Sequence, residues 1–172
     1  GLSIRSAEIE AAKDAGVSIT GDIDIFSRQV KAPIVAVTGS NGKSTVVAML
    51  AGILRKAGKN FGLGGNLDGE NFKPALDLLA EGKKDLYLLE LSSFQLETTE
   101  SLGAEVATIL NLSADHMDRY EGIEDYHRAK QRIFNGCKQV VINRDDEESF
   151  PLNESEASVW RFGFGLPGVS GL

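Results

Sequence analysis

The sequence predicts an α/β fold, a parallel sheet flanked by helices on both faces and organised around a phosphate-binding loop. Three observations carry that prediction. Short apolar runs alternate along the chain with stretches of helical periodicity. The runs are close to continuously apolar, as strands buried on both faces must be. A Gly-rich segment, TGSNGKST (38–45), joins the first run to a helical stretch.

The elements follow in order. SAEIEAAKDAG (6–16) has a helical pattern, and VSIT (17–20) after it is strand-like. DIDIFSRQV (22–30) is a short segment before the first clear strand, IVAVT (34–38). KSTVVAMLAGILRKAG (43–58) is a helix stopped by Gly58. NFGLGG (60–65) is a second strand, and ALDLLAEG (75–82) a short helix with Pro74 near its start. LYLLELS (86–92) and VATILNL (106–112) are two more strands. IEDYHRAKQRIFNG (123–136) is an amphipathic helix ended by Gly136, and QVVIN (139–143) is another strand. Residues 147–157 are polar and read as loop, and SVWRFGFG (158–165) is strand-like before a Gly-rich end.

Composition narrows the class. The chain has 172 residues, enough for a real core, with 42% hydrophobic and 25% charged residues. The net charge of −7 argues against a broad nucleic-acid footprint, so an anionic ligand needs a local site. No apolar run reaches the about 20 residues of a membrane span. The first residues, GLSIRSAEIEAAK, lack a signal-peptide core. A single cysteine, Cys137, excludes an internal disulfide framework and reads as a small buried residue. Together these features point to a cytoplasmic protein that binds neither nucleic acid nor membrane, and a monomer is expected.

Ligands of such sheets bind beyond the carboxyl ends of the strands, so the polar residues there are informative. The usual phosphate loop is G-x-x-x-x-G-K-[ST]. Here Gly42, Lys43 and Ser44 fit, but the position of the first glycine is Val37. Gly39, Asn41 and Gly42 allow a tight turn that aims backbone N–H groups at an anion. Lys43 adds charge near the β- and γ-phosphates, and Ser44 offers a hydroxyl to Mg²⁺. Glu90 ends a buried strand where a Mg²⁺ site would need a carboxylate, and would otherwise be a solvated strand-end residue. Asn66, Ser92, Asp115, His116 and Asp118 lie at other strand ends. His127 reads as a surface residue. Lys130 lies on the apolar stripe of its helix, four residues after Tyr126 and three before Ile133. It either snorkels to water or is desolvated, with a lowered pKa and a reactive amine.

These residues resemble the central ATP-binding region of the Mur ligases, which build the peptide stem of peptidoglycan. In that family the shortened loop G-[ST]-x-G-K-[ST]-[ST] is normal, and GSNGKST (39–45) fits it. GDIDIFSR (21–28), GGN (64–66), ELSSFQLE (90–97) and DHMDRY (115–120) are similar to the members that join D-glutamate to UDP-N-acetylmuramoyl-L-alanine. Folylpolyglutamate synthase shares the loop but differs where ELSSFQLE stands. The competing readings are another amide ligase of this group, or a non-catalytic nucleotide-binding module.

The resemblance implies roles at matching positions. The loop residues Gly39, Ser40, Asn41, Gly42, Lys43, Ser44 and Thr45 would hold the ATP phosphates. Ser44 and Glu90 would serve one Mg²⁺; His116 and a carbamylated Lys130 would serve a second. Asn66 and Ser92 would position UDP-N-acetylmuramoyl-L-alanine. It also implies a division of the chain. Residues 1–31 would be the end of an N-terminal UDP-binding domain with its linker, and residues 32–172 a truncated central ATP-binding domain. The amino-acid-binding C-terminal domain would be absent, so the chain is expected to be an inactive fragment of its parent enzyme.

Overall fold

The computed structural model describes residues 4–66, 72–115, 117–153 and 156–164. Six strands form one sheet: β1 (Ile34–Thr38), β2 (Phe61–Gly65), β3 (Leu86–Glu90), β4 (Val106–Ile109), β5 (Gln139–Asn143) and β6 (Ser158–Phe162). Their order across the sheet is β2-β3-β1-β4-β5-β6, and every pairing is parallel. Side chains alternate between the two faces, so two cores form. Ile34 and Ala36 of β1, Tyr87 and Leu89 of β3, and Ala107 and Ile109 of β4 serve one core. Val37 of β1, Leu88 of β3 and Leu63 of β2 serve the other.

The helices divide between these faces. α1 (Ala7–Asp14) contributes no buried residue. α2 (Asp22–Gln29) sinks Ile23 and Phe26 completely into the first core, where the Phe26 ring meets Tyr87 edge-on at 5.0 Å. α4 (Ser93–Leu96) and α5 (Ile123–Gln131) pack on that same face through Leu96, Tyr126 and Ala129. α3 (Lys43–Lys56) covers the second face with Val47 and Ala51. It ends in a Schellman motif: Lys59 N–H donates to the Leu54 carbonyl and Gly58 N–H to Arg55, each at 3.0 Å.

Several elements differ from the sequence-based expectations. VSIT (17–20) pairs with no strand among the described residues and three of its four residues are exposed, so its β-forming composition gains no ladder to hold it extended. DIDIFSRQ, left unassigned from sequence, is α2. Residues Ala75–Glu81 form a 3₁₀ helix. Its three-residue turn buries Ala75 and Leu78 while Leu76 and Leu79 stay exposed. The helix expected over 123–136 narrows to 3₁₀ at Arg132–Phe134. Inside the polar stretch 147–157, Glu147–Ser149 make one more 3₁₀ turn.

This topology fixes where a ligand can sit. The chain leaves β1 for α3 on one face, and leaves β4 for α5 on the other. β1 and β4 are neighbours, so their carboxyl ends open a crevice between diverging connections.

Candidate functional site

The loop after β1 wraps the N-terminus of α3. Gly42 caps that helix at φ 79°, a left-handed conformation that a side chain would strain. The β4 end holds the loop through Asn111, whose Oδ1 accepts from Asn41 N–H at 2.8 Å. Asn111 Nδ2 donates back to the Asn41 carbonyl at 3.0 Å, and Ser40 N–H donates to the Asn111 carbonyl at 2.9 Å. Ser40 Oγ donates to the Ser113 carbonyl at 3.0 Å and accepts from Ser113 N–H at 2.9 Å. The Ser40 hydrogen is thereby committed, so the Tyr126 hydroxyl, 3.0 Å away, is the donor in their contact. Asn111, Ser113 and Tyr126 were not singled out as site residues from sequence. Their polar character at a strand end was visible, but their reach to the loop depends on β4 lying beside β1.

Two lysines meet on this loop. Lys43 Nζ folds back to donate to the carbonyls of Gly39 at 3.0 Å and Ser40 at 3.1 Å. Lys130 comes from α5 and is 2% exposed. Its Nζ donates to the same Gly39 carbonyl at 2.9 Å and to Thr38 Oγ1 at 3.2 Å. The nitrogen also lies 4.8 Å from the centre of the Tyr126 ring. Burial is the main force lowering its pKa, from the ordinary 10.5 to about 7. The positive charge of Lys43 adds to that fall, while Asp115 and Glu90 oppose it. Lys130 is thus buried, not snorkelling to water.

Glu90 ends β3 and is 2% exposed, and among the described residues its Oε2 has no hydrogen-bond partner. A buried carboxylate oxygen without a donor, beside an anion-binding loop, suits a hard cation such as Mg²⁺. Ser44 and Thr45 stand exposed in the first turn of α3, where a hydroxyl can reach such an ion. Among the described residues, no three His, Cys, Asp or Glu side chains cluster as a ready metal cage. Mg²⁺ bound by few protein groups and by phosphate needs none.

The substrate candidates flank this centre. Asn66 N–H donates to the Glu90 carbonyl at 2.8 Å, which staples the β2 end to the β3 end. The preceding Gly65 is obligatory there, since a Cβ would sit 2.0 Å from the Glu90 carbonyl oxygen. Ser92 caps α4 in a capping box with Gln95: each accepts from the other's backbone N–H. The Arg119 guanidinium lies 3.9 Å over the Phe94 ring and 3.5 Å from Glu97. That contact ties DHMDRY to ELSSFQLE, two segments whose partnership the sequence did not reveal. Burial there also raises the pKa of the Tyr120 phenol.

The remaining expectations fare differently. His116 lies outside the described residues. Asp115 is partly buried and close enough to act on Lys130, whereas Asp118 is exposed. His127 is not the surface residue expected, for its side chain is only 13% exposed and its Nδ1 meets Glu148 at 3.3 Å. Cys137 is a free, partly buried thiol beside β5, raised in pKa by burial. Among the described residues, no helix is long and apolar enough to cross a membrane.

Comparison with known proteins agrees with this geometry. The profile of the Mur ligase middle domain matches residues 37–167. The UDP-N-acetylmuramoylalanine--D-glutamate ligase of Pseudomonas aeruginosa is 54% identical over 167 residues, 97% of this chain but 36% of that protein. The chain thus spans about a third of the length of such curated relatives. A solved UDP-N-acetylmuramoyl-L-alanyl-D-glutamate--2,6-diaminopimelate ligase superposes with a TM-score of 0.63 at 27% identity, over 92% of this chain and 35% of that one. A bifunctional folylpolyglutamate synthase/dihydrofolate synthase shares the fold, with a TM-score of 0.60 at 21% identity, over 93% and 52% of the two chains.

Proposed function

Because the chain belongs to the Mur ligase family through its middle domain, we propose that it is the nucleotide-binding core of an ATP-dependent ligase. Its parent would join D-glutamate to UDP-N-acetylmuramoyl-L-alanine in peptidoglycan synthesis. The observation that carries this reading is Lys130: a buried amine seated on the Gly39 carbonyl, at the crevice where Glu90 keeps an unpartnered oxygen. A simple nucleotide-binding module needs Lys43 and Ser44 but has no use for a desolvated lysine beside a desolvated carboxylate. The 54% identity to a D-glutamate ligase supports the choice of substrate.

A carboxylate is a poor electrophile, so the alanyl carboxylate must be activated. One of its oxygens attacks the γ-phosphorus of ATP, and ADP leaves with the bridging electron pair. The D-glutamate amine then attacks the acyl carbon, loses a proton, and phosphate departs from the tetrahedral intermediate. Nucleotide, carboxylate and transferring phosphoryl group are all anionic, so positive charge must be concentrated here. Lys43 would leave its carbonyl contacts for the phosphates, and the N–H groups of residues 40–44 would cradle them. Magnesium, when bound, supplies the rest of the charge; Ser44 and Glu90 would hold one ion, His116 and carbamylated Lys130 a second. Asn66 and Ser92 would orient the muramoyl substrate. Residues 1–31 are read as the end of the UDP-binding domain and its linker, with α2 as the part docked on this sheet.

Lys130→Ala in the full-length protein tests this. Ligation should fall by at least about 100-fold, in line with loss of an oriented group at a phosphoryl-transfer centre. Acetate or formate should partly restore it by filling the vacated anion position, and Lys130→Arg should stay inactive. Full activity of Lys130→Arg in CO₂-depleted buffer would leave the lysine a packing residue.

A further inference from the structure

We propose that Thr38 is a positioning residue for Lys130, one that sets the direction in which the amine reacts. The inference rests on the reading of Lys130 as a carbamylated residue, and adds what holds it for that chemistry.

Thr38 is the last residue of β1 and is fully buried. Its hydroxyl donates to the Leu91 carbonyl at 2.6 Å. A threonine hydroxyl has one hydrogen, so toward Lys130 Nζ, 3.2 Å away, Thr38 can only accept. The Gly39 carbonyl is an obligatory acceptor, 2.9 Å from the same nitrogen. A neutral amine carries two hydrogens and one lone pair. Both hydrogens are claimed from the β1 side, by neighbouring residues of one strand end. The fourth direction belongs to Cε. Among the described residues the lone pair is therefore the one direction with no hydrogen-bond partner, and the Tyr126 ring centre lies 4.8 Å from the nitrogen.

The chemistry needs that arrangement. The lone pair forms the N–C bond to CO₂, and one C=O π pair moves onto oxygen. One N–H proton passes to water, and a carbamate with a single N–H remains. That N–H can keep one of the two acceptors, so the new anion stays anchored to the strand end. Were Thr38 a donor to Lys130 instead, it would occupy the lone pair and block addition. The Leu91 carbonyl removes that alternative by taking the only hydrogen. Leu91 directly follows Glu90, so the same contact fixes the strand end that carries the candidate metal carboxylate.

The test uses the full-length protein equilibrated with ¹³C-bicarbonate, with the carbamate carbon observed by ¹³C NMR. Wild type should give one carbamate resonance that Lys130→Arg lacks. Thr38→Val, close in shape but without an acceptor, should need at least several-fold more bicarbonate for half occupancy. Thr38→Ser, which keeps the hydroxyl, should stay within about twofold of wild type. Circular dichroism and melting temperature establish that each variant is folded at the temperature used. Thr38→Ala replaces the valine variant should that one not fold. Equal bicarbonate dependence for wild type and Thr38→Val, or for Thr38→Val and Thr38→Ser, overturns the positioning role and leaves carbamylation standing. Absence of the resonance from wild type overturns the carbamate reading, and this proposal with it.

Discussion

The Gly39 carbonyl accepts from Lys43 and from Lys130, so two cationic side chains converge on one oxygen. They are not equivalent. Lys43 is only partly buried and can swing out; Lys130 is locked beneath Tyr126. Lys43→Ala should therefore weaken ATP·Mg binding by about 10- to 100-fold, the worth of charge-assisted hydrogen bonds, with unchanged circular dichroism. Titration calorimetry on both proteins checks this, and equal affinities would make the loop a mere turn. Lys130 has a different signature. Its pKa is about 7 in the fold and 10.5 ordinarily, so between those values the unfolded chain holds more protons. Stability must then rise with pH across that window, while below pH 7 the buried ammonium exerts its full cost. Denaturant melts of wild type and Lys130→Met, across that pH range and without added bicarbonate, should converge toward alkaline pH; parallel curves would contradict the burial argument. Sequence located both lysines, but helical spacing alone could not choose between snorkelling and burial for Lys130, and only the family resemblance pointed to a carbamylated residue. That choice depends on Thr38 and Gly39, which are about 90 residues away and meet Lys130 only when β1 and α5 pack.

Among the elements, those with strong local signals were legible. The apolar runs of β1, β3, β4 and β5 and the amphipathic stripe of α5 each carry their own periodicity. α2 does not: DIDIFSRQ alternates apolar and acidic residues and fits two readings until its partners are known. Its place is fixed from outside. Ile23 and Phe26 enter the core beneath Tyr87, and the buried Asp24 side chain accepts from Glu100 N–H at 3.1 Å and Thr20 Oγ1 at 3.0 Å. VSIT fails for the converse reason, having strand composition and no strand to pair with among the described residues. If α2 is an integral layer of the central fold, Phe26→Ala should destabilise it by about 3–5 kcal/mol, the usual cost of emptying an aromatic site. Urea unfolding would measure it. A loss below about 1 kcal/mol would mean that α2 is only laid against the sheet.

At the scale of the whole molecule, the two faces of the sheet are unequally covered. Among the described residues, the first carries α2, α4, α5 and the 3₁₀ turn at Ala75–Glu81, while α3 alone lies on the second. The outer surface of α3 leaves Met49 65% exposed, and β6 leaves Trp160 62% exposed at the sheet edge. Exposed apolar side chains of this size suit contact with another protein surface. The crevice is open in the same sense. Among the described residues it gathers the phosphate loop, Glu90 and Lys130, with Ser44 and Thr45 of the loop exposed to solvent. The chain spans 36% of the length of the Pseudomonas aeruginosa relative. Phosphoryl and acyl transfer depend on orientation and on keeping water from the acyl phosphate. These 172 residues alone should therefore bind ATP weakly at most and show no ligation. The 172-residue chain incubated with ATP, Mg²⁺, UDP-N-acetylmuramoyl-L-alanine and D-glutamate should release neither phosphate nor product above a Lys43→Ala control. Turnover of about 1 s⁻¹ or faster, within the ordinary enzyme range, would mean that this crevice suffices and that closure by further domains is dispensable.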